Sequence, residues 1–280
     1  MAGMKPQWKR VLSELPFLIV LMIIGFFLFS AAFPSLFAPY SFKEQHPRDA
    51  LQAPSARYWL GTDQFGRDIF SRLIYGSRVV MLVGLGSVFL ASLVGVPLGL
   101  ISGYYGGFID AVIMRIQDAL LSFPVVLLAL LIIASFGAST LNVILTIAIV
   151  YVPRFARLVR GTVLSLKDRE YVLASRAAGA SDMRLLFLVI LPNALAPIIV
   201  QATLGIAVAI LIEAGLSYLG LGVQPPTPSW GIMLQHAQSY IYQAPWFVLA
   251  PGFMIFLAVL VFNLAGDRLR EVVDPRLRTL

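Results

Sequence analysis

Uncharged apolar runs of twenty residues or more constrain this chain more than any other feature. A hydrocarbon core about 30 Å thick needs roughly 20 apolar residues in a helix, and several runs reach that length. Pro16 to Tyr40 carries no charge and follows Lys5, Lys9 and Arg10. The basic start suits a signal peptide, but the run is too long and lacks a small-residue cleavage site, so residues 16–40 read as a retained first span behind a tail, 1–15. Val79 to Ile101 is a second run. Ala119 to Pro153 is uncharged for 35 residues, too many for one crossing, and Phe136 to Asn142 (FGASTLN) supplies turn residues for a hairpin between spans three and four. Between Leu185 and Asp267 the only Asp, Glu, Lys, Arg or His residues are Glu213 and His236. The VQPPTPSWG segment, Val223 to Gly231, interrupts the helical pattern there, leaving spans five and six near Ala194 to Leu216 and Trp246 to Ala265.

Composition agrees. The chain is 59% apolar and 12% charged, with a mean hydropathy of +0.86, which excludes disorder and is about half the charge of a soluble domain. No cysteine is present, so disulfides, thiolate metal sites and cysteine nucleophiles are excluded. His46 and His236 are too few for a histidine metal cluster, and no metal or other cofactor is expected on this chain.

Six spans put both termini on one side. That side would hold 15 of the 21 Lys and Arg residues: three before the first span, Arg115, seven from Arg154 to Arg184 and four from Arg268 to Arg278. The other six, Lys43 to Arg78, oppose the trend but are offset by Glu44, Asp49, Asp63 and Asp68. The positive-inside rule then places both termini in the cytoplasm and assigns the net charge of +7 to cytoplasmic loops, with no nucleic-acid surface. The expected organisation is a tail (1–15), a first helix (16–40), an external loop (41–78), a five-helix core (79–266) with a cytoplasmic loop at 167–193, and a tail (267–280).

Several elements carry local expectations. Asp68 suits the N-cap of the helix after the LGTDQFGRD element and stands four residues before Arg72, a favourable helical pair. Its acids are too sparse for a calcium loop. Gly95, Gly99 and Gly103 form a GxxxGxxxG ridge for close helix packing. Glu213 is the single carboxylate within a span, where an acid must face protein or water. Gln201, Gly205, Ala209, Glu213 and Ser217 recur every four residues, a polar and small stripe suited to a translocation pathway or to a subunit seam. Trp230, Tyr240 and Tyr242 suit interfacial anchors.

In the cytoplasmic loop, Asp168 is a candidate N-cap, Gly179 an αL stop, and Ser181 with Asp182 a second N-cap. A helix, a tight turn and a helix follow. The segment resembles the EAA loop of the membrane subunits of bacterial ABC importers: Glu-Ala-Ala, three residues, Gly, nine residues, Ile, one residue, Leu-Pro. Ala174, Ser175, Gly179, Val189, Leu191 and Pro192 stand at the corresponding positions, with Leu173 in place of the Glu. The resemblance implies that Asp168, Glu170, Ala174, Ser175, Arg176, Gly179, Ala180, Ser181, Leu191 and Pro192 belong to a coupling helix and turn held by an ATPase.

Trp59 to Arg78, Tyr104 to Pro124, Leu216 to Leu234 and Phe262 to Arg278 resemble segments of the dipeptide, oligopeptide and nickel permeases of DppC/OppC type. That resemblance implies an all-α integral membrane protein of the type I importer (MetI-like) fold, in a bacterial or archaeal cytoplasmic membrane. It also implies a second, DppB/OppB-type permease, two ABC ATPases carrying ATP and Mg, and an extracytoplasmic binding protein. Asp63, Arg67 and Asp68 are candidate contacts for that last partner. The chain has no GxxxxGK[ST] and no Gly-Lys pair, so it holds no P-loop and is expected to be a transport subunit, not an enzyme. HExxH is absent too, against an intramembrane metalloprotease. An ion-coupled secondary transporter using Glu213 is the alternative.

Overall fold

Ser139 and Ser229 cap helices with their side chains, whereas Pro16, Pro97, Pro153, Pro197 and Pro251 lie inside helices. The structure, a computed structural model, describes residues 7–273, with side chains from 16 to 272. Lys5, Arg276 and Arg278 of the expected tails lie outside the described residues. Regular structure among the described residues is helical, with one isolated bridge between Thr62 and Asp68.

The chain divides into two compact units. One comprises residues up to Leu82 and from Pro225. It contains α1 (Gln7–Ala32), the start of α2 (Ile69–Tyr105), α9 (Trp230–Ala237) and α10 (Pro245–Val273). Helix α10 packs on both α1 and α9. Trp230, expected at an interface, is instead fully buried: its Nε1 donates to Leu73 O at 3.0 Å and its ring lies 5.7 Å from Phe27. Gly76 admits it, since a Cβ there would stand 3.0 Å from Trp230 Cδ1.

The expected first span ends early. Helix α1 stops at Ala32, and residues 33–40 of that run form a short 3-10 turn and loop. Conversely, α2 begins ten residues before the uncharged run, because its two early arginines donate to carbonyls. Arg78 donates to Ala31 O and Ala32 O at 2.9 and 3.0 Å, capping the end of α1, and Arg72 Nη1 donates to Phe42 O at 3.1 Å.

The other unit, residues 83–224, contains the rest of α2, α3 (Gly107–Leu121), α4 (Val125–Phe136), α5 (Thr140–Leu166), α6 (Glu170–Ala177), α7 (Asp182–Arg184), a π-helical turn (Leu185–Ile190) and α8 (Leu191–Tyr218). The glycine ridge packs as expected. A Cβ on Gly95, Gly99 or Gly103 would come within 2.6 Å of Phe155 Cβ, 2.5 Å of Ala156 O or 2.8 Å of Val163 Cβ, so α2 and α5 meet backbone to backbone. The FGASTLN turn also forms as expected. Gly137 is at φ +85°, Ser139 Oγ caps Asn142 N at 3.1 Å, and Asn142 Nδ2 donates to Phe136 O and Gly137 O, each at 2.9 Å.

Four stretches are long and apolar enough to cross a membrane: α2, α5, Asp182–Tyr218 and α10. The pair α3 and α4, bent by 91°, makes a fifth if taken together. The expected third span is therefore not straight. Pro124 forces Phe123 out of helical conformation, and the 12 residues of α4 reach only about 18 Å at 1.5 Å each. The apolar helix Pro16–Ala32 is shorter than the four.

Candidate functional site

The segment between α5 and α8 is built from local rules. Helix α6 opens at Arg169, which sits in extended conformation. Asp168, the expected N-cap, lies one residue too early. The helix closes as a Schellman motif, with Ala180 N donating to Ser175 O at 3.1 Å and Gly179 N to Arg176 O at 3.0 Å. That closure requires a left-handed residue, and Gly179 supplies it at φ +81°. Ser181 then occupies the N-cap of α7, without a side-chain bond to it.

Past Arg184 the helix widens. Leu191 N reaches back to Leu186 O, a five-residue span that accommodates Pro192, whose ring lacks an N–H and would crowd the carbonyl four residues earlier. Asn193 Nδ2 bonds Val189 O at 2.7 Å in the same stretch. The turn is thus continuous with α8.

Of the residues expected to couple, Asp168, Glu170, Ala174, Arg176, Gly179, Ser181 and Pro192 are exposed, and Ser175, Ala180 and Leu191 are half-buried. Helix α6 buries only Val172. Tyr171, Leu173 and Met183 are 41%, 45% and 63% exposed. Leu173, the departure from the acidic pattern, therefore adds an apolar group to the face around the turn.

The periodic stripe on α8 packs against other parts of the same chain. Gly205, Ala209, Glu213 and Ser217 are buried and Gln201 is half-buried. Gly205 lets the Tyr151 ring approach, since a Cβ would lie 2.9 Å from its Cε1, and Gln201 Nε2 donates to Tyr151 Oη at 3.2 Å. Lower down, Ser217 Oγ donates to Glu213 Oε1 at 2.7 Å and accepts from Val223 N at 3.3 Å. Those bonds fold the turn after α8 back on the helix. Spacing showed the stripe but not what faces it.

In the other unit, the LGTDQFGRD loop is internally tied. Asp63 accepts from Phe65 N and Arg67 N at 2.8 and 3.0 Å and from Arg67 Nε at 2.6 Å. Arg72 also turns to Asp63, at 3.6 Å, so the expected Asp68–Arg72 pair does not form. Asp68 caps α2 as expected, accepting from Ser71 N at 2.8 Å and Ser71 Oγ at 2.7 Å. Burial raises its pKa, and the Ser71 bonds counter the rise. Half-buried His236 is held below its ordinary pKa by burial and by Arg67 and Arg72, against Asp63. Asp63, Arg67 and Asp68 are all buried. They shape this loop, and its outer face is carried by side chains such as Trp59 and Phe65, 60% and 46% exposed. Among the described residues no group of His, Asp and Glu is placed to hold a metal.

One residue went unassigned in the sequence. Tyr104 Oη donates to Asp182 Oδ1 at 2.6 Å and accepts from Arg176 Nη2 at 3.3 Å. Its partners lie more than 70 positions away, and no local signal reports such a contact.

The chain is similar to known proteins over most of its length. Residues 95–279 match the family described as binding-protein-dependent transport system inner membrane component. The chain is 48% identical over 276 residues to the dipeptide transport system permease protein DppC of Alkalihalophilus pseudofirmus, covering 97% of this chain and 91% of the relative. It is 44% identical to the di/tripeptide permease DppC of Pseudomonas aeruginosa, covering 98% and 93%. The glutathione permease GsiD of Pectobacterium atrosepticum is 41% identical, with 97% and 91% covered. A chain of the MetNI methionine ABC transporter in an inward-facing conformation superposes with a TM-score of 0.61 at 20% identity, covering 72% of this chain and 96% of that one; this shows the fold.

Proposed function

This chain belongs to the binding-protein-dependent transport system inner membrane components, and on that premise we propose that it forms half of a passage for small peptides across a prokaryotic cytoplasmic membrane. It is a permease subunit of an ATP-driven importer. A homologous permease supplies the other half, two ATPases bind from the cytoplasm, and an external binding protein delivers the solute. The substrate class follows from the dipeptide, di/tripeptide and glutathione permeases among its relatives.

One observation carries the coupling role: an exposed helix and a glycine-locked turn, rich in exposed apolar groups, continue without a break into the long apolar helix α8. Such an element projects from the membrane and transmits torque. ATP-driven closure of the ATPase pair would draw two such turns together and shift the passage from inward-open to outward-open. Coupling then requires that nucleotide and solute each bind the two states with different affinity.

Six crossings with cytoplasmic termini fit this role. The four long stretches, the bent α3–α4 pair and α1 would supply them, and the Arg-rich segment 154–184 would face the cytoplasm, as the positive-inside rule requires. The ion-coupled alternative draws no support from the relatives. Reconstitution separates the two: solute uptake should require both ATP and the ATPase chains, whereas uptake by this chain alone, driven by an ion gradient, would refute the assignment.

A further inference from the structure

The last turn of α2 contains three consecutive residues, Ser102, Gly103 and Tyr104, each holding a different neighbour. Ser102 Oγ bonds Asp110 Oδ1 on α3, and Asp110 also takes Arg160 Nε and Nη2 from α5, each at 2.6 Å. Gly103 O accepts Lys167 Nζ at 3.3 Å, a cation on the orphan carbonyls of a helix C-terminus. Tyr104 Oη joins Asp182 and Arg176, and the Arg176 guanidinium lies 5.5 Å from the Tyr104 ring centroid.

Arg176 is on α6 and Asp182 on α7, so a single hydroxyl spans the Gly179 turn from one limb to the other. The turn is closed by its own backbone bonds, with little packing around it. Nothing lies within 4 Å of where a Gly179 Cβ would sit, and α6 buries only one side chain. An eight-residue helix with so few contacts has little rigidity of its own, and would swing about Gly179 under load. The bridge from α2 removes that freedom.

We propose that Tyr104 is a positioning residue for coupling. Its hydroxyl fixes the angle between α6 and α7 and makes α2 a second route, beside α8, by which movement of the turn enters the membrane helices. This rests on the ATPase-docking role proposed above.

The test uses the full complex of both permeases, the ATPases and the binding protein in proteoliposomes, with ATP hydrolysis and dipeptide uptake measured in the same vesicles. Tyr104→Phe keeps the ring and removes only the hydroxyl. It should leave assembly and hydrolysis near wild type while uptake per ATP falls about five-fold, the low end of ordinary coupling free energies. Asp182→Ala should do the same, and the double variant should be no worse than either single one, since both break one latch. Wild-type uptake per ATP in Tyr104→Phe overturns the latch while leaving ATP-driven import by the wild type intact. Loss confined to assembly in both single variants also overturns it. Absence of ATP-driven uptake in the wild-type complex overturns the docking role, and the latch with it.

Discussion

Replacing Gly179 perturbs backbone conformation alone. The residue is at φ +81° and a Cβ there meets nothing within 4 Å, so packing adds no cost. A left-handed conformation costs an L-residue about 1–2 kcal/mol, with Asn penalised least and β-branched residues most. The turn is what the ATPase would grip, and apparent affinity scales with the fraction of molecules holding the competent conformation. For Gly179→Val, about 2 kcal/mol therefore weakens ATPase binding by at most ~30-fold. Gly179→Ala, at about 1 kcal/mol, weakens it by at most ~5-fold, and Gly179→Asn stays close to wild type. The assay is titration of detergent-solubilised permease pairs with the ATPase chains, followed by uptake per ATP in proteoliposomes. The order Gly, Asn, Ala, Val should appear in both readouts while membrane insertion is unchanged. Equal affinity across the series would refute the idea that the left-handed turn is what the motor holds.

Three further outcomes follow from the packing and the charges. Gly99→Ala should lower the melting temperature by overpacking α2 on α5, about 1–3 kcal/mol, whereas Gly161→Ala, where a Cβ meets nothing within 4 Å, should be neutral or stabilising; thermal melts in detergent compare them. Asp63→Ala strips the carboxylate from buried Arg67 and Arg72 and should cost about 3–5 kcal/mol, read as loss of folded yield, while Trp59→Ala on the same loop leaves yield intact. His236 has a folded pKa below its ordinary value, so the unfolded chain binds the proton more readily and stability should fall as pH drops below about 6.5. Melts at pH 7.5 and 5.5 should show that fall in the wild type and a smaller one in His236→Gln.

What could be read in the sequence was what local chemistry decides. The Gly179 stop, the Ser139 turn, the Asp68 cap and the glycine ridge all depend on neighbours within a few residues or on a spacing that admits one kind of packing. The misreadings needed distant partners. Helix α2 starts at Ile69 because Arg72 and Arg78 are answered by carbonyls of Phe42, Ala31 and Ala32, which a scan for uncharged runs cannot see. Arg72 turns to Asp63 and not to Asp68, because Ser71 already occupies Asp68. Trp230 left the interface for the core once Gly76 gave it room. The α8 stripe showed that one face is polar and small, but only Tyr151 packing on Gly205 shows that the chain covers this face itself.

The chain has no cysteine, so a single introduced thiol is unique, and Met183→Cys places it on an exposed position beside the turn. An impermeant maleimide should label it in inside-out vesicles and not in right-side-out ones, and a short bifunctional cross-linker should join it to an ATPase chain in the assembled complex. Labelling from outside, or no cross-link in a complex that hydrolyses ATP, would contradict the account.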